Sequence, residues 1–563
     1  MKRFLLLFLF QYLLFSNILA QQTVGLFLND SLSFNGYTLI APEYTDTYLI
    51  DNCGHVVNSW TADQHPGSSV YLLENGNLLR TGRISGTFNT GGVGGRIELF
   101  SWEGDLLWRY DYASPAFHQH HDVAALPNGN ILLIAWDYHS VQNAINNGRD
   151  PALTSSLGVW SEQIIELEPL GIDNANIVWA WKLWDHLIQN FDSTKFNYGV
   201  VADHPELVDI NFKANPGGGA SSGPDWIHLN AIDYNAALDQ IVVSSRHLHE
   251  FWILDHSTTT QEAAGQSGGN SGKGGDILYR WGNPQSYDQG DDSHQKLFGQ
   301  HDVHWIPPGL DDEGKIMLFN NGQGRPSGNF SSVDIIVPPM DNNGNYLLEN
   351  GNAFGPVDLS WSYTSEPPED FYSSNISGAQ RLPNGNTLIC LGRRGLVFEI
   401  TPNNEIVWEY QSPVRVGSGP INQELDIFNI PTVLFRAYRY GEDYPAFDGK
   451  ELIAGDPIEL NPIIYDCTLY NTTTSIVDKY MLEKVSLQGN PVLDYLKIKN
   501  DSGEAIRIEV LDINGKSRVN FFSPDMFVEI DATSWTPGLY FARISNKAAN
   551  RFYSSKFIKL LSN

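Results

Sequence analysis

The sequence predicts an all-β protein: a six-bladed β-propeller followed by a small C-terminal Ig-like β-sandwich. Three observations carry this. Between Gly36 and Tyr440 a unit recurs, with an inner segment of the form LPNGNxLL and an outer segment of the form GxIVWxY. An Asn-Gly turn followed by alternating apolar residues is a hairpin signal, and a unit of roughly 40 to 75 residues and about four strands, repeated six times, has the period of a propeller. From Asn490 the chain changes to short alternating strands between turn residues, NPVLDYLKIKN, EVLDINGKS, SWTPGLYFARIS and KFIK, the pattern of a sandwich of about 75 residues.

Composition agrees with that class. The 563 residues include 15 Trp and 25 Tyr, with Gly and Pro recurring between short apolar runs. A large core is easily built at this length. The formal net charge is −30. It argues against a nucleic-acid partner, because phosphate binding needs a basic surface. An anionic small substrate would need a local pocket of His and Arg. Cys53, Cys390 and Cys467 form neither a metal motif nor a CxxC pair; one disulfide and one free thiol fit, and the spacing leaves the pairing open.

Taken in order, residues 1–20 read as a secretory signal. Lys2 and Arg3 precede the apolar run Phe4 to Phe15, and Ile18 and Ala20 place cleavage after Ala20. No later segment approaches the roughly 20 apolar residues of a membrane span, so the mature chain is expected without one. The propeller domain is expected over 21–453. Its inner segments include Leu72 to Arg80, Leu126 to Ile134 and Leu382 to Cys390, with divergent copies near Asp239 and Gly314. Its outer segments end on or near Trp60, Trp108, Trp179, Trp281, Trp361 and Trp408, aromatics expected to pack between blades. The first blade, Gly36 to Trp60, is short, so Val433 to Tyr440 is expected to return and close the ring. Long insertions, Tyr138 to Trp160, Phe191 to Pro224, Gly265 to Asp276 and Pro284 to Phe298, are expected to build the rim of a binding face. A linker is expected over 454–483 and the sandwich over 484–563.

Three histidines recur at one place in three consecutive repeats: His121 opens HDVAALPNGN, His228 opens HLNAIDYN and His301 opens HDVHWIPPG. Equivalent positions of a closed repeat fold point at the same place, so the three should converge near one mouth of the channel. Ser377 and Ser68 hold the same position in two other repeats, which confines the imidazoles to one arc. Arg246 closes an inner segment of that arc and offers a planar, bidentate anion site. Three imidazoles and a guanidinium describe a pocket for a tetrahedral oxyanion. Zinc is the competing reading, since three histidines form a common catalytic set. In a strand, however, His118 and His120 share a face that His121 does not, and His301 and His304 face apart. Arg246 beside the site also disfavours a cation. Asp122 and Asp302 should point away from the pocket and support neighbouring blades.

The segments HQHHDVAALPNGN, DWIHLNAIDYN, VVSSRHL, FGQHDVHW and FRAYRYGEDYPAF resemble those of the bacterial aryl-sulfate sulfotransferases (arylsulfotransferases) over about Thr38 to Ile453. The resemblance implies sulfuryl transfer from a phenolic sulfate ester to a phenol acceptor, outside the cytoplasm, on a six-bladed propeller, without a nucleotide sulfate donor. No cofactor or metal is implied. It implies that His301 is the nucleophile that becomes sulfated, that His228, Asn230 and Arg246 hold the sulfuryl oxygens, and that His121 is the remaining pocket histidine. Tyr438 or Tyr440 would sit near the site; Ser377, from its repeat position alone, is expected to join the substrate-binding residues. Larger members carry an N-terminal domain before the propeller, so the match is to a shorter branch. The motifs NPVxDxLxI, DxxGK, GLYFxxI and KFxK resemble the C-terminal sorting domain of the type IX secretion system of Bacteroidetes. That implies a Gram-negative cell, passage through the periplasm, the type IX machinery as partner, and release or surface attachment. No feature of the sequence sets an oligomeric state.

Charge spread over three sulfuryl oxygens implies a loose, in-line transfer, by analogy with phosphoryl transfer. The expected scheme is ping-pong through a sulfohistidine, with His121 as proton donor to the leaving phenolate. The alternatives are an aryl sulfate hydrolase, a metal-dependent hydrolase, or a non-catalytic surface-binding propeller.

Overall fold

The computed structural model describes residues 22–212, 223–342, 344–348, 353–423, 430–463, 467–470, 485–488, 492–500, 503, 505–512, 516–546 and 552–560. The expected signal, 1–20, and part of one glycine-rich insertion, 213–222, lie outside them. The fold is all-β and propeller-like. Among the described residues six antiparallel units follow one another, each beginning at an inner strand; five have four strands, and the fifth unit has five because Gly25–Asn29 adds to its outer edge. The inner strands are β1 (Pro66–Leu72), β2 (Phe117–Ala125), β3 (Leu229–Asn235), β4 (His301–Trp305), β5 (Gly378–Arg381) and β6 (Leu434–Gly441). The units begun by β1 and β2 join into one eight-stranded sheet through a single pair, Ser68 and His121.

Each inner hairpin reads as a nearly continuous apolar run because both faces of its sheet are buried. Alternate residues serve alternate neighbours. Ile131, Leu133 and Ala135 pack against the preceding unit, whereas Leu132 and Ile134 pack against the following one. Ile241 and Val243 face one way and Val242 the other. The core is therefore divided among the interfaces between units. The series closes on itself, because Leu388, Cys390 and Trp408 of the β5 unit pack with Ile40, Ile50 and Leu434 of the β6 unit.

The tryptophans expected between units occupy the outermost strands, and five of them cap a backbone or side-chain acceptor across the interface. Trp60 Nε1 donates to Ser101 O, Trp108 to Asn174 O, Trp179 to Thr258 Oγ1, Trp281 to Pro356 O and Trp408 to Asn52 O, at 2.8 to 3.1 Å. Trp361 instead lies under the Arg381 guanidinium, 5.0 Å away. A buried indole needs an N–H partner, and the next unit supplies it.

The late strand returns as expected: β6 pairs with Gly36–Pro42 and becomes the inner strand of the first unit. Tyr440 belongs to this closure, its hydroxyl accepting from Leu72 N–H and its ring packing on Tyr444. Part of the expected linker also packs on the repeats. Gly455 N–H donates to Val56 O, Ile458 joins the interface core, and Cys467 is disulfide-bonded to Cys53, leaving Cys390 as a buried free thiol. Residues 471–484 lie outside the described set. Beyond them, two antiparallel sheets enclose a separate core that includes Leu496, Ile508, Val510 and Ile544.

One side chain ties the inner strands together. Arg436 of β6 donates to Asp122 of β2 (2.7 Å), Tyr71 of β1 (2.9 Å) and the Asn230 carbonyl of β3 (3.1 Å), and its Nε lies 2.9 Å from Asp302 of β4. Asp122 and Asp302 also accept the backbone N–H of the next inner strand, from Ile232 and Ala379. Burial acts to lower the guanidinium pKa, and Asp122 and Asp302 more than offset it. Arg436→Leu leaves two buried carboxylates without their cation, and we expect a loss of about 3–5 kcal/mol in denaturant unfolding. A change under about 1 kcal/mol would contradict the role given to Arg436.

Candidate active site

At one end of the inner strands lies a cavity of about 600 Å³, lined by His121, His228, His247, His301, Arg246 and Phe435 among others. The three repeat-related histidines and the arginine thus come together. The backbone explains how. An extended strand would turn alternate side chains away, yet His121 and His228 adopt φ of +50° and +56°. This left-handed kink swings each imidazole into the mouth and leaves the following residues in the strand. In β4 the kink falls one residue later, at Asp302 (φ +57°). Gly92 accommodates the first of these rings. Its carbonyl accepts the His121 N–H, its φ is +79°, and a Cβ there would fall inside the His121 imidazole.

His301 has an assigned tautomer. Asn321 Nδ2 donates to two backbone carbonyls, Ser373 O (2.8 Å) and Ile376 O (2.9 Å). Its Oδ1 is therefore the acceptor, and His301 Nδ1–H donates to it at 2.7 Å. The Nε2 lone pair is left, and it accepts the Ile376 N–H at 3.1 Å. Burial first, and then the Arg246 charge, hold the His301 imidazole well below the ordinary histidine range, with the Asn321 bond opposing them. His228 is fixed by Asp225, whose Oδ2 accepts from Nδ1 at 2.6 Å while Oδ1 accepts the Trp136 N–H at 3.2 Å. Burial acts to raise the Asp225 pKa, and the neighbouring His228 brings it well below the usual carboxylate range. Arg246 N–H donates to His228 O, and its Nη2 donates to Gln323 Oε1 at 3.0 Å.

The HQHHD run is resolved by position. His118 Nε2 lies 3.3 Å from Gly94 O, His120 lies beneath the cavity, and His121 lines it. The period-2 argument separated His120 from His121. The kink at His121 brings their Nδ1 atoms to 2.8 Å.

Four expected site residues lie elsewhere. Asn230 is fully buried below the cavity, its Nδ2 donating to Gln300 O next to His301. Ser377 donates to Ser373 Oγ and accepts the Gly392 N–H, both within the frame. Tyr438 stacks on Tyr71 and bonds Asp302, beneath the histidines. Tyr440 closes the first unit. Conversely, His247, stacked 4.7 Å from His228, and Asp225 escaped the sequence reading. His247 directly follows Arg246 in SSRHL, and that adjacency was the available signal.

Two groups among the described residues have a metal-binding spacing. In Asp51, Cys53 and His55 the thiol is consumed by the disulfide. In Asp225, His228 and His247 the carboxylate is already the partner of His228 and of the Arg246 charge. The arrangement as it stands suits an oxyanion held between imidazoles and a guanidinium.

Residues 26–415 match the family model described as Arylsulfotransferase (ASST), and residues 489–559 match the secretion system C-terminal sorting domain. This type IX sorting domain marks the chain for secretion to the cell surface or outside. No described helix is long and apolar enough to cross a membrane. Among solved structures, the chain is similar to a protein of unknown function from Bacteroides caccae (10% identity, 72% of this chain, 99% of that one, TM-score 0.37). It is also similar to the periplasmic gluconolactonase of Pseudomonas aeruginosa (11%, 67%, 95%, TM-score 0.33) and to virginiamycin B lyase of Staphylococcus aureus (8%, 71%, 91%, TM-score 0.30). No curated protein matches the chain in sequence. With His121, His228, Arg246 and His301 within the matched span, the chain belongs to the arylsulfotransferase family, whose chemistry is sulfuryl transfer and whose substrates are phenolic.

Proposed function

We propose that this protein moves a sulfuryl group from a phenolic sulfate ester to a phenolic acceptor in two steps, through His301, on a six-bladed propeller carrying an Ig-like sorting sandwich. One observation supports this most: His121, His228, His301 and Arg246 share one cavity in a chain of this family. In the first step the Nε2 lone pair attacks sulfur, the S–O(aryl) bond breaks, and the phenolate takes a proton from His121. In the second, the acceptor phenol oxygen attacks sulfur, the S–N bond breaks, and the phenol proton returns to His121. The transition state spreads charge over three oxygens, and Arg246 and His228 stand where that charge develops.

Ile376 gives the first step a specific feature. Its N–H donates to the Nε2 lone pair, and it sits at φ +54°, a region a β-branched residue seldom adopts. Once Nε2 bonds sulfur it can no longer accept, and this N–H is released to a sulfuryl oxygen.

Three outcomes are expected. With 4-nitrophenyl sulfate and a phenol acceptor, nitrophenol release depends on the acceptor and survives a chelator. Mass spectrometry under mild alkali finds a sulfated His301, and His301→Ala abolishes transfer. Acceptor-independent release would favour the hydrolase, and full activity of His301→Ala would exclude the nucleophile. Arg246→Lys lowers kcat/KM about 100-fold, because an ammonium does not reproduce the planar fork. Because burial and Arg246 depress the His301 pKa, the nucleophile stays neutral as pH falls through the ordinary histidine range of about 6.5. kcat/KM for the donor therefore stays level from pH 8 to below 6, whereas a fall centred near 6.5 would contradict a buried, neutral His301.

A further inference from the structure

Beneath His121 runs a chain of titratable groups that the transfer scheme does not use. His121 Nδ1 meets His120 Nδ1 at 2.8 Å, and His120 Nε2 meets Glu162 Oε2 at 2.8 Å. His120 and Glu162 are both fully buried. His120 is clamped flat against Trp136, with ring centroids 4.0 Å apart at 15°. The second carboxyl oxygen of Glu162 accepts the Leu229 N–H at 2.9 Å. Every polar atom of His120 and Glu162 is thus committed, and the line has one open end, His121 in the cavity.

We propose that Glu162 and His120 form a proton relay that recharges His121 during sulfuryl transfer. This rests on the reading of His121 as the acid of that reaction. Before transfer, Glu162 O–H donates to His120 Nε2, His120 Nδ1–H donates to His121 Nδ1, and neutral His121 carries its single N–H proton on Nε2, facing the donor. When the S–O(aryl) bond breaks, His121 Nε2–H passes to the phenolate. The His120 Nδ1 proton moves to His121 Nδ1, and the Glu162 proton moves to His120 Nε2. Phenolate plus a neutral relay becomes phenol plus a Glu162 carboxylate, so one proton and one charge are exchanged. The acceptor phenol reverses each step when it gives its proton to His121 Nε2.

The surroundings favour this starting state. Burial pushes the Glu162 carboxyl well above the usual carboxylate range, with the Leu229 N–H opposing and Asp225 adding to the rise. Burial also holds His120 down, to about 3, and holds His121 well below its ordinary value. The titratable and charged groups facing His121 from other strands are His228, His301 and Arg436, and positive charge on any of them disfavours a resting imidazolium. A neutral acid at the buried end is how this site can release a proton without storing a cation at the cavity. Glu162 and His120 act through His121 and are positioning residues.

The test exploits the leaving group. Glu162→Gln keeps the shape and can still donate to His120 Nε2, yet it has no proton to release. kcat/KM for the donor, which reports only the first half-reaction, is measured in the full chain with 4-nitrophenyl sulfate and with phenyl sulfate. The stable nitrophenolate needs little protonation, whereas phenolate needs it fully, and general acid catalysis contributes about 10²–10⁴-fold. The loss with phenyl sulfate is expected to exceed that with 4-nitrophenyl sulfate by at least about tenfold. Equal losses with both donors in an enzyme that still labels His301 would overturn the relay. Absence of acceptor-dependent transfer in the unmodified protein would instead overturn the proposed function. Should Glu162→Gln fail to fold, His120→Gln breaks the line at its other joint and is read by the same ratio.

Discussion

The buried contact of Arg436 with Asp122 and Asp302 is the constraint on which the rest depends. A guanidinium and two carboxylates out of water carry a desolvation cost of several kcal/mol per ion, recovered only when geometry and hydrogen bonds are complete. Here four other inner strands supply partners: Asp122, Tyr71 and the Asn230 carbonyl accept hydrogen bonds, and Asp302 adds an ion pair. The two aspartates directly follow His121 and His301. The residue pair that fixes the buried cation therefore also fixes the direction of the catalytic arc. Because Arg436 lies on the last inner strand, the arc is complete only once that strand has paired with Gly36–Pro42.

This explains what was legible in the sequence. Apolar runs buried on both faces, Asn-Gly turns and one tryptophan per outer strand are local patterns, and each reports a repeated packing environment. The convergence of His121, His228 and His301 followed from their repeat position alone. What stayed hidden depends on partners far along the chain. Arg436 sits in FRAYRY as one cation in an apolar strand, and nothing nearby shows that it serves two aspartates more than a hundred residues away. The resemblance pointed to the tyrosines beside it, yet Tyr438 and Tyr440 pack as frame. Ser377 shares the repeat position of the histidines, but its hydroxyl bonds Ser373 and the Gly392 N–H within the frame. The kinks also explain the failed separation of His120 from His121, since period-2 alternation holds only while φ stays negative. The Cys53–Cys467 pairing joins residues 414 apart, and no spacing rule reaches that far.

The electrostatics reconcile an acidic chain with an anionic substrate. A net charge of −30 sets the average field and says little about a half-enclosed cavity, where local groups dominate over screened distant ones. Arg246 and Arg393 line this cavity, and burial holds His121, His247 and His301 well below the ordinary histidine range. The proposed transfer uses fixed guanidinium charge for binding and a neutral His301 for chemistry. A pocket with every histidine protonated would bind sulfate more tightly and would leave His301 without its lone pair.

The acidic groups at and beneath the cavity then have a consistent place. Asp225 lines the cavity and sits against His228, whereas below it Asp122 and Asp302 sit against Arg436 and Glu162 against His120. An unpaired carboxylate facing the substrate would repel an anionic donor and the departing phenolate alike. Paired with a base or cation, it can hold an imidazole in one tautomer or anchor a guanidinium. Glu162 differs from the other three because its partner is a neutral histidine and its own pKa is raised by burial. Three of the four carboxyls are thus placed to hold their partners still, and Glu162 is the one whose surroundings favour a proton that can move.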